Sequence, residues 1–218
     1  MFSKFKSLGI LKTLWFNFRY IPLKQAYKLP FLLSSNTRII SCKRGFCYFT
    51  GWVKSGMVTI GFNRDNNNAL PTSIRFDGTA IIRGQGIHAF GAGCMVSIEK
   101  NAVLDVGNNF GCTGDTRISV KKSLVIGCDN LWSYGCVIMD NDGHYIFDEN
   151  HQIINEPQGI MFGDKVWMGC NCIVLKNVTI PSYSIIAAGS KITKKLHGQS
   201  SIFTTNGIVL KNKVYWKA

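Results

Sequence analysis

A beat of six residues runs through the C-terminal part of this chain. Large apolar residues stand at Phe162, Met168, Val174, Ile180, Ile186 and Ile192. A smaller series follows four places behind: Val166, Cys172, Val178, Ser184 and Ser190. Gly163, Gly169 and Ala187 each come directly after a large residue. A helix repeats every 3.6 residues and a half-buried strand every two, so neither sustains a period of six. A solenoid whose coils are built from three short flats does. One hexad cannot bury its own apolar side chain, but stacked coils set each large residue on its counterpart and build a continuous core. A β-sandwich also has frequent turns, yet it would not hold a single register over so many hexads.

Tight corners between the flats favour residues that tolerate positive φ, and Asp164, Asn171, Asn177 and Gly189 are the candidates here. Upstream the beat continues with interruptions, through Val106, Cys112 and Ile118 and then Ile126, Trp132 and Ile138. The step from Ile118 to Ile126 is eight, which predicts a two-residue insertion at one corner. Phe76, Ile82, His88 and the stretch from Phe90 to Val96 follow less cleanly. Roughly six to eight coils are expected between about residue 38 and residue 195. Residues 1–37 are then an N-terminal cap, and residues 196–218 a basic extension.

With 218 residues and 46% hydrophobic content the chain can build a sizeable core. No apolar run approaches the ~18 residues of a membrane span. Lys4, Lys6 and Lys12 interrupt what would otherwise resemble a signal peptide. The eight cysteines are even in number, but Cys112 and Cys172 fall on inward hexad positions, where a free thiol acts as a small hydrophobe. A reducing cytoplasm is therefore the expected setting. Cys170 and Cys172 lack the partners of a zinc site, and no metal is expected.

The net charge of +13 is unevenly placed. Residues 1–30 and residues 191–218 each carry six Lys or Arg and no acid, whereas the solenoid between them is nearly balanced. Such basic ends suit nucleic acid, an anionic membrane surface or a phosphorylated small molecule. The segment from Leu14 to Lys24 is both basic and aromatic. It reads as a cap over the first coil, or as a foot on the inner membrane face, and the two roles are compatible.

The beat stops after Ile138 and resumes at Phe162, leaving an extended loop over residues 139–161. Five of the twelve acids fall there, with two of the four histidines. Loops that leave a rigid scaffold commonly carry function. His144 follows Asp142-Gly143, and a nearby carboxylate would orient one ring nitrogen for general-base work. Asp142 is the first candidate for that carboxylate or for holding an acceptor, and Asp140 the second. His151, His88 and His197 carry weaker signals.

The segment from Phe162 to Ile180 and its continuation to Lys194 resemble the hexapeptide-repeat acyltransferases. The likeness is to sugar O-acetyltransferases of the maltose and galactoside type and to relatives that decorate surface polysaccharides. It implies a left-handed parallel β-helix, a homotrimer with sites between subunits, and acetyl-CoA as donor. By position His144 matches the catalytic base and Trp167 the indole beside the site. Gly169, Cys170 and Ala188 match the pantetheine groove; Thr193 and Lys194 match its nucleotide end, with Lys195 able to share that task. The acceptor is then a carbohydrate rather than a nucleic acid.

Two features depart from that pattern. The closing turn reads Thr204-Thr205-Asn206-Gly207, which predicts a hairpin between Ile202 and Leu210. Pro181 stands where glycine is usual. Acetylation of an amino-sugar nitrogen, and a non-enzymatic β-helix scaffold, are the alternative readings. Carbonic-anhydrase-like zinc chemistry needs three converging histidines, a spacing the four histidines lack.

Overall fold

The computed structural model describes residues 7–62 and 71–217; Lys4 and Lys6 lie outside the described residues. The chain winds as a left-handed parallel β-helix. Among the described residues its three faces hold nine, seven and six strands. Each coil visits them in that order. Phe110–Gly114, Arg117–Val120 and Ser123–Ile126 make one coil; Asn130–Trp132, Val137–Met139 and Ile160–Phe162 make the next. The chain turns from the nine- to the seven-stranded face at the first corner, then to the six-stranded face at the second, and back at the third. The first strand, Phe31–Leu33, pairs in parallel with Val58–Phe62, so the coils begin within the segment assigned to the cap.

The hexad residues point inward as their period demands. Phe162, Met168, Val174, Ile180, Ile186 and Ile192 are all buried, as are the smaller Val166, Cys172, Val178, Ser184 and Ser190. The core also carries an aromatic column. Phe90, Phe110, Trp132 and Phe162 follow one another with ring centroids 5.3, 4.9 and 4.6 Å apart.

At the corners Asn171, Asn177 and Gly189 have positive φ as expected, but at the third corner Lys165 takes it in place of Asp164. The Asp164 carboxylate instead accepts the Cys128 N–H of the preceding coil at 2.7 Å. That bond places Asp164 before the sharp residue. Gly163 explains the usual glycine at this corner, since a Cβ there would lie 2.5 Å from the Ser182 nitrogen of the next coil. Its N–H donates to the Ile180 carbonyl. Pro181 follows the outermost strand of the six-stranded face, Thr179–Ile180. There the missing N–H has no ladder to serve.

Helix α1, Ile10–Tyr20, closes the open end of the first coil. It ends where Ile21 becomes extended before Pro22. A short helix α2, Leu23–Ala26, follows. Phe16 of α1 packs its ring on Phe31 and Phe46. Thr13 and Asn17 satisfy the edge strand: the Phe31 N–H donates to Asn17 Oδ1 at 3.1 Å, and the Leu33 N–H donates to Thr13 Oγ1 at 3.0 Å. At the other end Ser201–Phe203 pairs antiparallel with Val209–Asn212, the hairpin that Asn206-Gly207 predicts. Both turn residues have positive φ.

His88 is a buried core residue of the nine-stranded face. Its Nε2 meets the Gly107 carbonyl at 2.9 Å, and among the described residues its Nδ1 has no partner. Burial pushes this imidazole below its ordinary 6.5. The unfolded chain then binds a proton that the folded chain refuses, so this contribution to stability is whole above that value and lost as pH falls below it. His88→Gln is expected to flatten the loss in urea midpoint between about pH 7.5 and 5.5. An unchanged slope would assign the acid sensitivity elsewhere.

Candidate active site

The interrupting loop leaves the helix at the second corner, between Val137–Met139 and Ile160–Phe162. Its anchor is Asp140, which is buried. The Asp140 carboxylate accepts the N–H groups of Lys121, Lys122 and Ser123 at 2.8, 2.7 and 2.8 Å. Lys121 and Lys122 lie in the corner that carries the extra residues between Ile118 and Ile126. The predicted insertion is thus the seat of the loop, and Asp140 holds backbone rather than an imidazole.

Beyond the anchor the chain is clamped a second time. The Asn155 side chain donates to the His144 carbonyl at 2.8 Å and to Asp142 Oδ2 at 3.0 Å, and its Oδ1 accepts the Ile146 N–H at 2.6 Å. The Lys176 ammonium pairs with Asp142 and donates to the Asn155 carbonyl at 3.1 Å. Lys176 and Asn155 together hold the Asp142 carboxyl below the usual carboxylate range. Among the described residues Asp142 therefore reaches His144 through Asn155 and the backbone. The His144 side chain is exposed, and among the described residues no hydrogen bond reaches its ring. His151 sits at the loop's own turn, with positive φ and its N–H on the Asp148 carbonyl.

The other expected residues divide between the loop's own corner, the first corner and the nine-stranded face. Gly169 and Cys170 stand at the first corner with Ala188 of the next coil stacked on them. A Cβ at Gly169 would come 2.6 Å from the Ala188 nitrogen, so the close approach of two coils already requires glycine. The Gly189 N–H donates to the Cys170 carbonyl at 2.8 Å, and the Asn171 N–H to that of Tyr134 at 3.0 Å. Thr193, Lys194 and Lys195 are exposed just past the last strand of the seven-stranded face, Lys191–Ile192, at the same corner as the loop. The hairpin turn folds over them, with Thr193 Oγ1 and Asn206 Oδ1 3.4 Å apart.

Trp167 is partly exposed on the nine-stranded face, which lies opposite the second corner. Its ring centroid is 6.4 Å from that of Trp216. The Trp216 indole N–H donates to the Lys165 carbonyl at 2.7 Å, so the C-terminal segment crosses back over this face. One subunit therefore joins His144 to Thr193, Lys194 and Lys195 along the second corner, and leaves Trp167, Gly169, Cys170 and Ala188 elsewhere. A groove of about 380 Å³ runs over the seven-stranded face to Met139, lined among others by Arg75, Ser97, Arg117 and Ser119.

Sequence reasoning missed Asn155 and Lys176. Lys176 had a signal, since it occupies an outward corner one coil beyond the loop. Asn155 had none, because its partners are fixed by the loop's own fold.

The fold and the loop define an interrupted left-handed β-helix of hexapeptide repeats, with a histidine on the excursion. In sequence the chain is similar to sugar O-acetyltransferases. It is 32% identical over 81 residues to the polysialic acid O-acetyltransferase of Neisseria meningitidis, covering 37% of this chain and 35% of that protein. It is 30% identical over 96 residues to the galactoside O-acetyltransferase of Escherichia coli K12, covering 43% of this chain and 46% of that one. The chain thus matches less than half the length of either relative. The crystal structure of the polysialic-acid-specific acetyltransferase NeuO shares the fold, with a TM-score of 0.50 and 22% identity over 85% of this chain and 90% of that one. No family model matches the chain.

Proposed function

We propose that this protein is an acetyltransferase that moves the acetyl group of acetyl-CoA to a carbohydrate hydroxyl in surface-polysaccharide synthesis. The observation that carries this reading is an exposed imidazole on a twice-anchored loop, in a chain similar to two sugar O-acetyltransferases. His144 takes the proton of the acceptor hydroxyl as its oxygen attacks the thioester carbonyl, and the CoA thiol departs with a proton. Asp142, Asn155 and Lys176 hold the loop so that the ring needs little reorganisation. Lys194 and Lys195 offer charge to the nucleotide phosphates. Arg75 and Arg117 favour an acceptor that carries negative charge.

The assembly in this reading is a homotrimer. His144 and the first-corner groove sit on different edges of one subunit, so a complete site takes His144 from one copy and Gly169, Cys170 and Ala188 from another. The loop supports this by exposing Tyr145, Ile146, Phe147 and Ile154, apolar side chains that a second copy would cover. The reading also places the basic N-terminal end against the inner membrane face.

The test has two arms. Acetyl-CoA is expected to raise the melting temperature saturably, as a ligand of the folded state must. No rise at millimolar ligand would move the protein to the scaffold reading. Co-expressing two inactive variants, His144→Ala and Ala188→Trp, is expected to restore roughly a quarter of wild-type transfer, because random trimers keep that share of intact interfaces. No recovery would place both parts of the site on one subunit.

A further inference from the structure

Residues 1–62 contain ten Lys or Arg and not one Asp or Glu. The described part of this stretch forms one end of the β-helix, through α1, α2, the first coil and the strand Val58–Phe62 that opens the second. Helix α1 turns Thr13, Phe16 and Asn17 inward. Its other side carries Leu11, Leu14, Trp15 and Phe18, the i, i+3, i+4, i+7 spacing of an apolar stripe, and all four are exposed. A cap needs the inner face only. Here the stripe points away from the core, with Leu11 83% exposed.

The neighbouring elements extend the same surface. Leu23 and Tyr27, in and just after α2, are exposed, and so is Trp52 at the third corner of the first coil. The Lys28 ammonium lies 5.8 Å from the ring centroid of Tyr27 and 5.7 Å from that of Trp52. Arg19, Lys24, Lys43, Arg44 and Lys54 are exposed nearby in the sequence. Lys12 is committed inward, to the carbonyls of Ser35 and Thr37.

We propose that this end docks on the surface of an anionic lipid bilayer, and that the β-helix stands on it. A soluble polyanion would use the cations but leave Leu11, Leu14 and Leu23 in water. An apolar protein groove would use the stripe but not a stretch free of acids. A bilayer surface uses both, taking the apolar side chains at the acyl boundary, the aromatic rings at headgroup level and the cations against lipid phosphates. Among the described residues no helix is long and apolar enough to cross a membrane, so this contact is made at the surface.

Docking in this way restricts the acceptor, on the acetyltransferase reading. The loop leaves the fifth coil, and coils stack about 4.8 Å apart, so the His144 corner stands on the order of 20 Å above the first coil. The modified sugar would then belong to a membrane-anchored glycan, several units out from its lipid.

The test uses the full chain with vesicles of phosphatidylcholine, with or without about a third phosphatidylglycerol, at ~0.15 M salt. Co-sedimentation is expected only with the anionic vesicles. The variant Leu11→Ser/Phe18→Ser should lose at least about tenfold in vesicle affinity with little change in melting temperature, since both side chains are exposed, whereas Trp15 is left in place because its ring packs on Tyr20. The pair Leu23→Ser/Trp52→Ala, from other elements, should weaken binding in the same direction and guards against misfolding of the first variant. Equal binding to neutral vesicles, indifference to both variants, or binding to heparin without binding to vesicles would overturn the proposal. The acetyl-CoA melting shift is read separately, so failure of docking and failure of the catalytic reading are distinguishable.

Discussion

Replacing His144 by alanine is expected to lower acetyl transfer by ~10²–10⁴-fold, the contribution of a positioned general base. The reason to expect so clean a loss is that, among the described residues, no structural hydrogen bond depends on this side chain. It is exposed, and among the described residues its ring makes no hydrogen bond. What Asn155 holds is the His144 carbonyl, which alanine keeps. The loop should therefore stay where Asp140 and Asn155 put it, and the melting temperature and its acetyl-CoA shift should match wild type. Turnover measured with a carbohydrate acceptor decides the matter. Transfer retained within a few-fold would remove His144 as the base; transfer and acetyl-CoA binding lost together would make it a ligand contact instead.

The largest effect on stability is expected at Trp132. It is wholly buried, between Phe110 and Phe162 in the aromatic column. Trp132→Ala removes the column's third member, between Phe110 and Phe162, from a stack that cannot collapse without shifting two coils, so a loss of ~3–5 kcal/mol is expected. Trp132→Phe separates packing from polarity. The indole Nε1 is buried with no partner among the described residues, and such a group costs about 1–3 kcal/mol when left unsatisfied. Phenylalanine loses volume but removes that cost, so its destabilisation should be a small fraction of alanine's. Urea denaturation of both variants checks this. Equal losses would mean that the indole N–H finds a partner in solution.

Several elements were legible from residues alone. The hexad residues from Phe162 to Ile192 point inward because a side chain at every sixth place meets its like in the next coil. The eight-residue step after Ile118 marked a real insertion, and Asn206-Gly207 marked a real hairpin. Where reading failed, a neighbouring coil decided. Asp164 is drawn to the Cys128 N–H, which leaves the positive φ to Lys165. Asp142 ranked ahead of Asp140 as the acid near His144, but only the fold shows what each one holds: Asp140 takes three backbone N–H groups, and Asp142 takes Lys176 and Asn155.

The sequence by itself determined that this chain coils, how many residues make each flat, and where the coil is interrupted. A period is a property of positions along the chain, and burial enforces it locally. It could not say which corner carries the loop, because insertions upstream shift the count from one coil to the next. Nor could it say which side of helix α1 meets the core. Thr13 and Asn17 turn inward because the edge strand's free N–H groups need partners, and that demand leaves the apolar stripe facing out. The tertiary structure alone set His144 and the first-corner groove on separate edges, since side chains near in sequence part company when each coil turns three corners.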